Sequence, residues 1–353
     1  MRDNTQYDRI LVIRTDRIVD VVLSTPVLKS IRETYRKAFL AFMVSPYTND
    51  LVKNNPDIDL IIVDDHREKH KGVLGFFRLL AHIRTLRFDT ALCLYVNLRL
   101  SLLIFLAGIP RRVGPRSKLA SLLLTRSVRQ SRSKIEKHES VYNLELARHI
   151  GVTGHPKPVL LVSTYSRNRM QSHMERWGIR KDYPLIGIHP GSGGSSRNWP
   201  LACYARLIQD LQRYREMQIC ITCAPWESHL LRCADWGKSK NIFSYSGQNG
   251  LDEFAALLEH LDVFVSGSTG PMHMAAALGV PLVALFCPRF ACSPIRWGPL
   301  TDKKIILMPV TEESCDLCRE EKCDYYDCME TISTEMVREA VFSLLDKNKL
   351  ARP

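Results

Sequence analysis

Short apolar runs alternate with longer amphipathic stretches along most of this chain. Arg9-Ile-Leu-Val-Ile13 is apolar after its first residue and reads as a buried first strand. A polar turn follows, and residues 21–35 space their apolar positions as a helix does. Residues 40–44 and 60–63 read as the second and third strands, residues 76–86 as a helix, and residues 90–94 as another strand. The pattern pauses at Thr153-Gly-His-Pro-Lys-Pro158, passes through a helical stretch over 166–177, and restarts with a strand at 185–188. Helices near 204–214, 228–236 and 251–261 then interleave with strands at 218–222 and 263–265. A helix from Pro271 and a strand at 282–286 complete the second set.

Strands alternating with helices indicate βαβ units and parallel sheets. Two such sets in 353 residues predict two Rossmann-like α/β domains, 1–165 and 166–334. A C-terminal helix at about 335–353 is placed to pack back on the first domain. Ligands of open parallel sheets sit outside the carboxyl ends of the strands, so both halves are expected to offer loops to a cleft between them.

Composition narrows the class. A hydrophobic share of 45% and a charged share of 24% are those of a globular protein. The net charge of +12 points to an anionic partner, and it is concentrated: between Arg99 and Lys137 the only acid is Glu136. Little aromatic interleaving accompanies these bases, so no nucleic-acid partner is expected. The N-terminus is polar and lacks the apolar core of a secretory signal. The longest apolar stretch, 100–109, is about half a membrane span. A cytoplasmic protein, soluble or peripheral to a membrane, is the expectation. Eleven cysteines in such a chain suggest thiols or a metal site before disulfides. Cys315, Cys318, Cys323 and Cys328 are spaced either for a structural zinc or iron–sulfur site or as free thiols.

Three stretches carry candidate chemistry. The strand at 263–265 ends in Ser266-Gly-Ser-Thr-Gly270, followed by Pro271 at a position suited to the first turn of a helix. Free amides at Thr269 and Gly270, with the positive end of the helix dipole, suit a diphosphate, and His273 lies in the same turn. The second stretch is His189-Pro-Gly-Ser-Gly-Gly-Ser-Ser-Arg-Asn-Trp-Pro200, where glycines allow close backbone approach and Arg197 supplies a cation. It is neither a Walker A loop nor a GxGxxG fingerprint, which argues against kinases and dehydrogenases. The third is Asp16-Arg-Ile-Val-Asp20 after the first strand. Asp20 at that corner can take a proton from an acceptor hydroxyl or simply complement the helix dipole, and Asp16 is open to the same two readings. Glu227 can accept from a ribose diol. Asp57-Ile-Asp59 matches an Asp-x-Asp metal motif formally but reads better as a turn.

Together these stretches resemble the heptosyltransferases of glycosyltransferase family 9, which have the GT-B fold. The likeness covers nearly the whole chain, through Arg9 to Pro26, Ala107-Gly-Ile-Pro-Arg-Arg-Val-Gly114, the His-Pro-Gly-Ser loop and Ser-Thr-Gly-Pro-Met-His-Met-Ala-Ala-Ala. It implies inverting, metal-independent transfer of a heptose or similar sugar from an ADP-sugar to a lipopolysaccharide core or related glycan, with no cofactor. Asp20 matches the family's catalytic base. Ser192, Gly193, Arg197, Ser268, Thr269, Gly270 and His273 fall at the donor site, and Glu227 at the ribose. Arg111, Arg112 and Arg116 lie in the region that meets the anionic, lipid-linked acceptor, at the inner face of the cytoplasmic membrane. Val19 replaces the usual Gly before the base, Ser268 stands where Asp is common, and Arg197 replaces a usual Lys. The alternatives are a UDP- or GDP-sugar transferase, an epimerase, or a non-catalytic nucleotide-sugar-binding homologue.

Overall fold

The computed structural model describes residues 7–345 except 118, 195, 215–216, 234–235, 238 and 311–327. Cys315, Cys318 and Cys323 therefore lie outside the described residues. The chain divides into two compact units, Met1–Leu161 and Val162–Pro353.

The first unit holds six strands: β1 Arg9–Ile13, β2 Phe39–Val44, β3 Leu60–Val63, β4 Thr90–Cys93, β5 Arg111–Pro115 and β6 Arg126–Val128. Its helices are α1 Ile18–Val22, α2 Thr25–Thr34, α3 Gly72–Leu86, α4 Leu98–Leu106 and α5 Glu139–Ala147. The strands form one parallel sheet in the order β3-β2-β1-β4-β5-β6. Leu11 and Ile13 of β1 pack with Leu79, Leu80 and Ile83 of α3 and Leu103 and Ile104 of α4. The alternate residues Ile10 and Val12 are also fully buried, on the opposite face.

The second unit repeats the plan. Its strands are β7 Leu185–His189, β8 Gln218–Thr222, β9 Ile242–Tyr245, β10 Val263–Gly267, β11 Leu282–Leu285 and β12 Lys304–Leu307. Its helices are α6 Thr164–Trp177, α7 Leu201–Gln212, α8 Leu230–Cys233, α9 Leu251–Leu258, α10 Gly270–Leu278, α11 Pro294–Trp297 and α12 Thr334–Leu344. The parallel sheet runs β12-β11-β10-β7-β8-β9. In each sheet the first strand sits at the centre beside the fourth, the doubly wound order with its reversal at that pair.

Several elements depart from the sequence pattern for physical reasons. The helix expected over 21–35 is broken into α1 and α2. Pro26 cannot sit inside a helix, because its ring meets the carbonyl four residues back, so α2 starts afresh with Pro26 in its first turn. The Ser24 and Thr25 hydroxyls donate to the Asp20 and Val22 carbonyls at 2.7 and 2.8 Å, closing α1 after little more than a turn. The apolar stretch at 100–109 contributes most of α4, whose Asn97 cap accepts from the Leu100 amide at 2.8 Å. The terminal helix α12 packs on the second unit rather than the first: Val337, Ala340 and Val341 share a core with Leu207, Leu211 and Trp199.

Candidate active site

In the first unit the reversal lies between β1 and β4, and the chain leaving β1 there carries Arg14, Asp16 and Asp20. Arg14 is 3% exposed and Asp20 7%. The Arg14 guanidinium is the hub. It donates to Asp16 Oδ1 at 2.8 Å, to Asp20 Oδ1, to the Leu94 carbonyl after β4 at 3.0 Å, and to Asn143 Oδ1 at 3.2 Å. Glu139 Oε1, fully buried at the start of α5, lies 3.4 Å from it and accepts from Arg132 at 2.7 Å. Asn143 also donates to the Leu23 carbonyl at 3.1 Å, tying α5 to the end of α1. Burial alone lowers the Arg14 pKa, but Asp20, Asp16 and Glu139 outweigh it and the guanidinium is held more firmly protonated than usual. Burial pushes the Asp16 carboxyl up to about 6, opposed by Arg14 and reinforced by Asp20. Arg14 thus holds the buried Asp20 carboxylate in one orientation.

In the second unit the reversal lies between β7 and β10, and the neighbouring strands β10, β7 and β8 end in the two predicted loops and the turn that carries Glu227. β7 leads into the Gly-rich loop. Its last residue, His189, is buried, pushed down to about 4 by that burial, and its Nδ1 lies 2.9 Å from Thr222 Oγ1 at the end of β8. This neutral imidazole joins two strand ends and so fixes where the loop starts. Ser192 donates to the Ser196 carbonyl at 3.0 Å, and Gly193 and Gly194 take φ of +55° and +73°, which a side chain would oppose. Glu227 follows β8 and accepts from the Gly193 amide at 2.8 Å. Gly191 packs so tightly here that a Cβ would stand 2.3 Å from Glu227 Oε2.

After β10, Thr269 caps α10 with extended backbone, and Pro271 occupies its first turn. Helix geometry gives the first amides no intrahelical acceptor, so those of Gly270 and Met272 form the positive end of the dipole. Thr269 Oγ1 lies 3.3 Å from Ser266 Oγ, and the Ser268 carbonyl accepts from Ser196 Oγ at 3.4 Å, joining the two loops. His273 is buried, and Arg197 is half-buried. Ser192, Gly193, Arg197, Glu227, Ser268, Thr269 and Gly270 thus share one edge of one sheet, which brings one cation, Arg197, and the amides at the start of α10 to the same edge.

The three predicted acceptor arginines separate. Arg111 and Arg112 open β5 and pair in register with Thr90 and Ala91, at the end of the sheet opposite Asp20. Arg112 donates to the Leu123 carbonyl at 2.7 Å and to the Ile109 carbonyl, and Arg111 lies over the Tyr7 ring at 4.7 Å. These contacts hold both side chains against the unit's own backbone and Tyr7 ring. Arg116, exposed beyond the end of β5, is at the same edge as Asp20.

Asp59 is a turn residue, accepting from the Leu40 amide and Arg32, both at 2.7 Å. Trp199 is packing: its indole donates to the Ile332 carbonyl at 2.8 Å. Among the described residues no cluster of three or more His, Cys, Asp or Glu is arranged for a metal. Cys328 is buried in the second core. Arg14, Arg132, Glu139 and Asn143 were not anticipated. The one local signal was an arginine directly after an apolar strand.

Comparison with known proteins agrees with this geometry. The profile of glycosyltransferase family 9 (heptosyltransferase) matches residues 76–328. A provisionally named glycosyltransferase of Haemophilus influenzae is 31% identical over 303 residues, spanning 84% of this chain and 87% of its own. The crystal structure of a family 9 glycosyl transferase from Veillonella parvula superposes with a TM-score of 0.87 at 23% identity, covering 97% of this chain and 98% of its own. The E. coli ADP-heptose lipopolysaccharide heptosyltransferase II superposes at 0.77 and 22% identity, covering 95% and 98%. The two α/β units are those of the GT-B class, and the chain belongs to glycosyltransferase family 9, the heptosyltransferases, and is a glycosyltransferase.

Proposed function

We propose that this enzyme transfers a heptose from ADP-heptose to a lipopolysaccharide core acceptor at the inner face of the cytoplasmic membrane, with inversion, Asp20 as general base, and no catalytic metal. The observation that carries the reading is that each unit has its own switch point with its own chemistry. One presents a carboxylate fixed by a buried guanidinium. The other gathers a helix N-terminus, a Gly-rich loop and Arg197 from adjacent strands. The donor is taken from the name of the E. coli relative, an ADP-heptose enzyme.

In this reading the diphosphate lies against Arg197, Ser192 and the amides at the start of α10, while Glu227 meets the ribose. As the bond from the anomeric carbon to the diphosphate oxygen breaks, its electrons pass to the ADP. The preorganised donors stabilise that growing charge, at about 3 kcal/mol each. The acceptor hydroxyl attacks the anomeric carbon from the opposite face and gives its proton to Asp20. Arg14 acts through Asp20 by holding its carboxylate in one orientation. Arg116, at the same edge, meets the acceptor's negative charge. Ser268, in place of the family's usual Asp, bears on which sugar is accepted.

The test is turnover with a panel of ADP-, UDP- and GDP-sugars, with and without heptose-deficient lipopolysaccharide, in EDTA. The expected result is ADP release only when acceptor is present, with a product of inverted anomeric configuration. Conversion of a donor without acceptor, selective use of a UDP- or GDP-sugar, dependence on added Mg²⁺, or nucleotide binding without turnover contradicts it.

A further inference from the structure

Helices α3 and α4 and the turn Ala120–Leu123 cover one face of the first sheet, and their outer surfaces are apolar where solvent-facing positions are normally polar. On α3, Val73, Leu74 and Phe77 are exposed, Leu74 at 85%. The outer stripe of α4 carries Leu102 and Phe105, and Leu122 on the neighbouring turn is 78% exposed. The inward residues of the same helices, Leu79, Ile83, Leu103 and Ile104, already fill the core, so this outer set is not needed for folding. An apolar surface of this extent marks a docking face.

The charge around it says what docks. Residues 64–134 contain fifteen Lys and Arg and four acids, of which Asp64 is buried against Arg99 and His70, while Asp65 and Glu68 lie beside Lys69. Asp89 is turned to the backbone, accepting from the Asp8 and Arg9 amides at 2.8 and 2.7 Å. Between β3 and α3 lies a cavity of about 360 Å³ lined by Lys69, His70, Arg78 and His82 at its polar side, Arg78 standing one helical turn on from Leu74. His70 is buried, its pKa lowered by that burial against the pull of Asp64, so near neutrality this imidazole is uncharged and the fixed cations are Lys69 and Arg78. Arg99, paired with Asp64, anchors the wall on which His70 rests. Leucines and phenylalanines standing proud of a cationic rim, with a cationic hollow beside them, match the boundary between acyl chains and anionic headgroups. A protein partner of matching charge would need acidic side chains and its own apolar face, and a second copy of this chain would set cation against cation.

We infer that this face seats the enzyme on an anionic phospholipid bilayer: Val73, Leu74 and Phe77 enter the headgroup boundary, and Lys69 and Arg78 hold a lipid phosphate. The purpose of the contact rests on the reading of the acceptor as lipid-linked, but the contact itself does not, and its test uses no turnover.

The experiment is flotation of the full chain with phosphatidylcholine vesicles containing or lacking about one-third phosphatidylglycerol. Wild-type protein is expected to float with the anionic vesicles and to be released by salt. Leu74→Glu/Phe77→Glu is expected to lose at least about tenfold in partitioning, and Lys69→Gln/Arg78→Gln about fivefold per charge removed. All four side chains are outside the core and apart from the donor loops, so melting temperature and ADP affinity serve as controls and are expected to hold. Partitioning unchanged in the Leu74/Phe77 variant overturns the inference, as does equal binding to neutral vesicles. So does a wild-type dimer that ignores vesicles and becomes monomeric in that variant.

Discussion

Replacing Arg14 by Met removes a side chain that touches Asp16, Asp20, Glu139 and Asn143 together. Methionine keeps much of the volume, so the perturbation is loss of charge and donors rather than a cavity. Three carboxylates then share a buried corner in which Arg132 donates to Glu139 at 2.7 Å. Removing one partner of a buried ionic cluster costs about 3–5 kcal/mol. That is roughly 10 °C or more in the melting temperature of a unit this size. Asp16, which burial already lifts to about 6, loses the cation that opposes the lift, so proton uptake by the cluster moves to higher pH. Asp20 loses its fixed orientation, and misplacing a catalytic group by about 1 Å costs on the order of 10²-fold in rate. The assay is kcat and KM across pH alongside calorimetric ADP binding. The expected pattern is a fall in kcat with ADP affinity unchanged, because the donor loops belong to the other unit. Arg14→Lys, keeping the charge, should recover part of both stability and rate. An Arg14→Met enzyme that melts and turns over like the parent, with the same pH profile, refutes the positioning role.

Other consequences are local. Arg197→Ala should weaken ADP binding by about 10- to 100-fold, the worth of a charge-assisted hydrogen bond, and Arg197→Lys should retain most of the affinity; calorimetry decides. In Gly191→Ala the new Cβ would meet Glu227 Oε2 at 2.3 Å, displacing the carboxylate from the Gly193 amide, so donor KM should rise while the first unit melts normally. Asp16 titrates from 3.8 in the unfolded chain to about 6 in the fold. Between these values the folded state keeps a proton that the unfolded chain has released. Its contribution to stability therefore falls as pH rises from about 4 to 6 and is level above that. Asp16→Asn should remove this slope from melting temperature against pH, and an unchanged slope would assign it to another group.

What could be read in advance follows the range of the forces involved. β1, β2, β7, β8, β10 and β11 are central or nearly so, buried on both faces, and therefore written as unbroken apolar runs. β5, β6, β9 and β12 were missed because they lie at or toward the sheet edges, where Arg111, Arg112, Pro115, Arg126, Ser244 and Lys304 are tolerated. The geometry of the two loops after β7 and β10 was legible because it is local: glycines at positive φ, a proline in the first helical turn and a serine-rich approach all lie within a few residues. The Arg14 cluster was not, because Glu139 and Asn143 stand more than a hundred residues away and only the fold brings them to β1. Arg111 and Arg112 show the limit of such a reading. A run of bases reports an anionic partner, but not which end of a strand each base occupies.

The central claim is that Asp20 removes the acceptor's proton while the second unit holds the nucleotide independently. Turnover and ADP affinity measured side by side in Asp20→Ala test it most directly. The account predicts transfer reduced to the limit of detection, with an ADP dissociation constant equal to that of the parent enzyme. Transfer at the parental rate would contradict it.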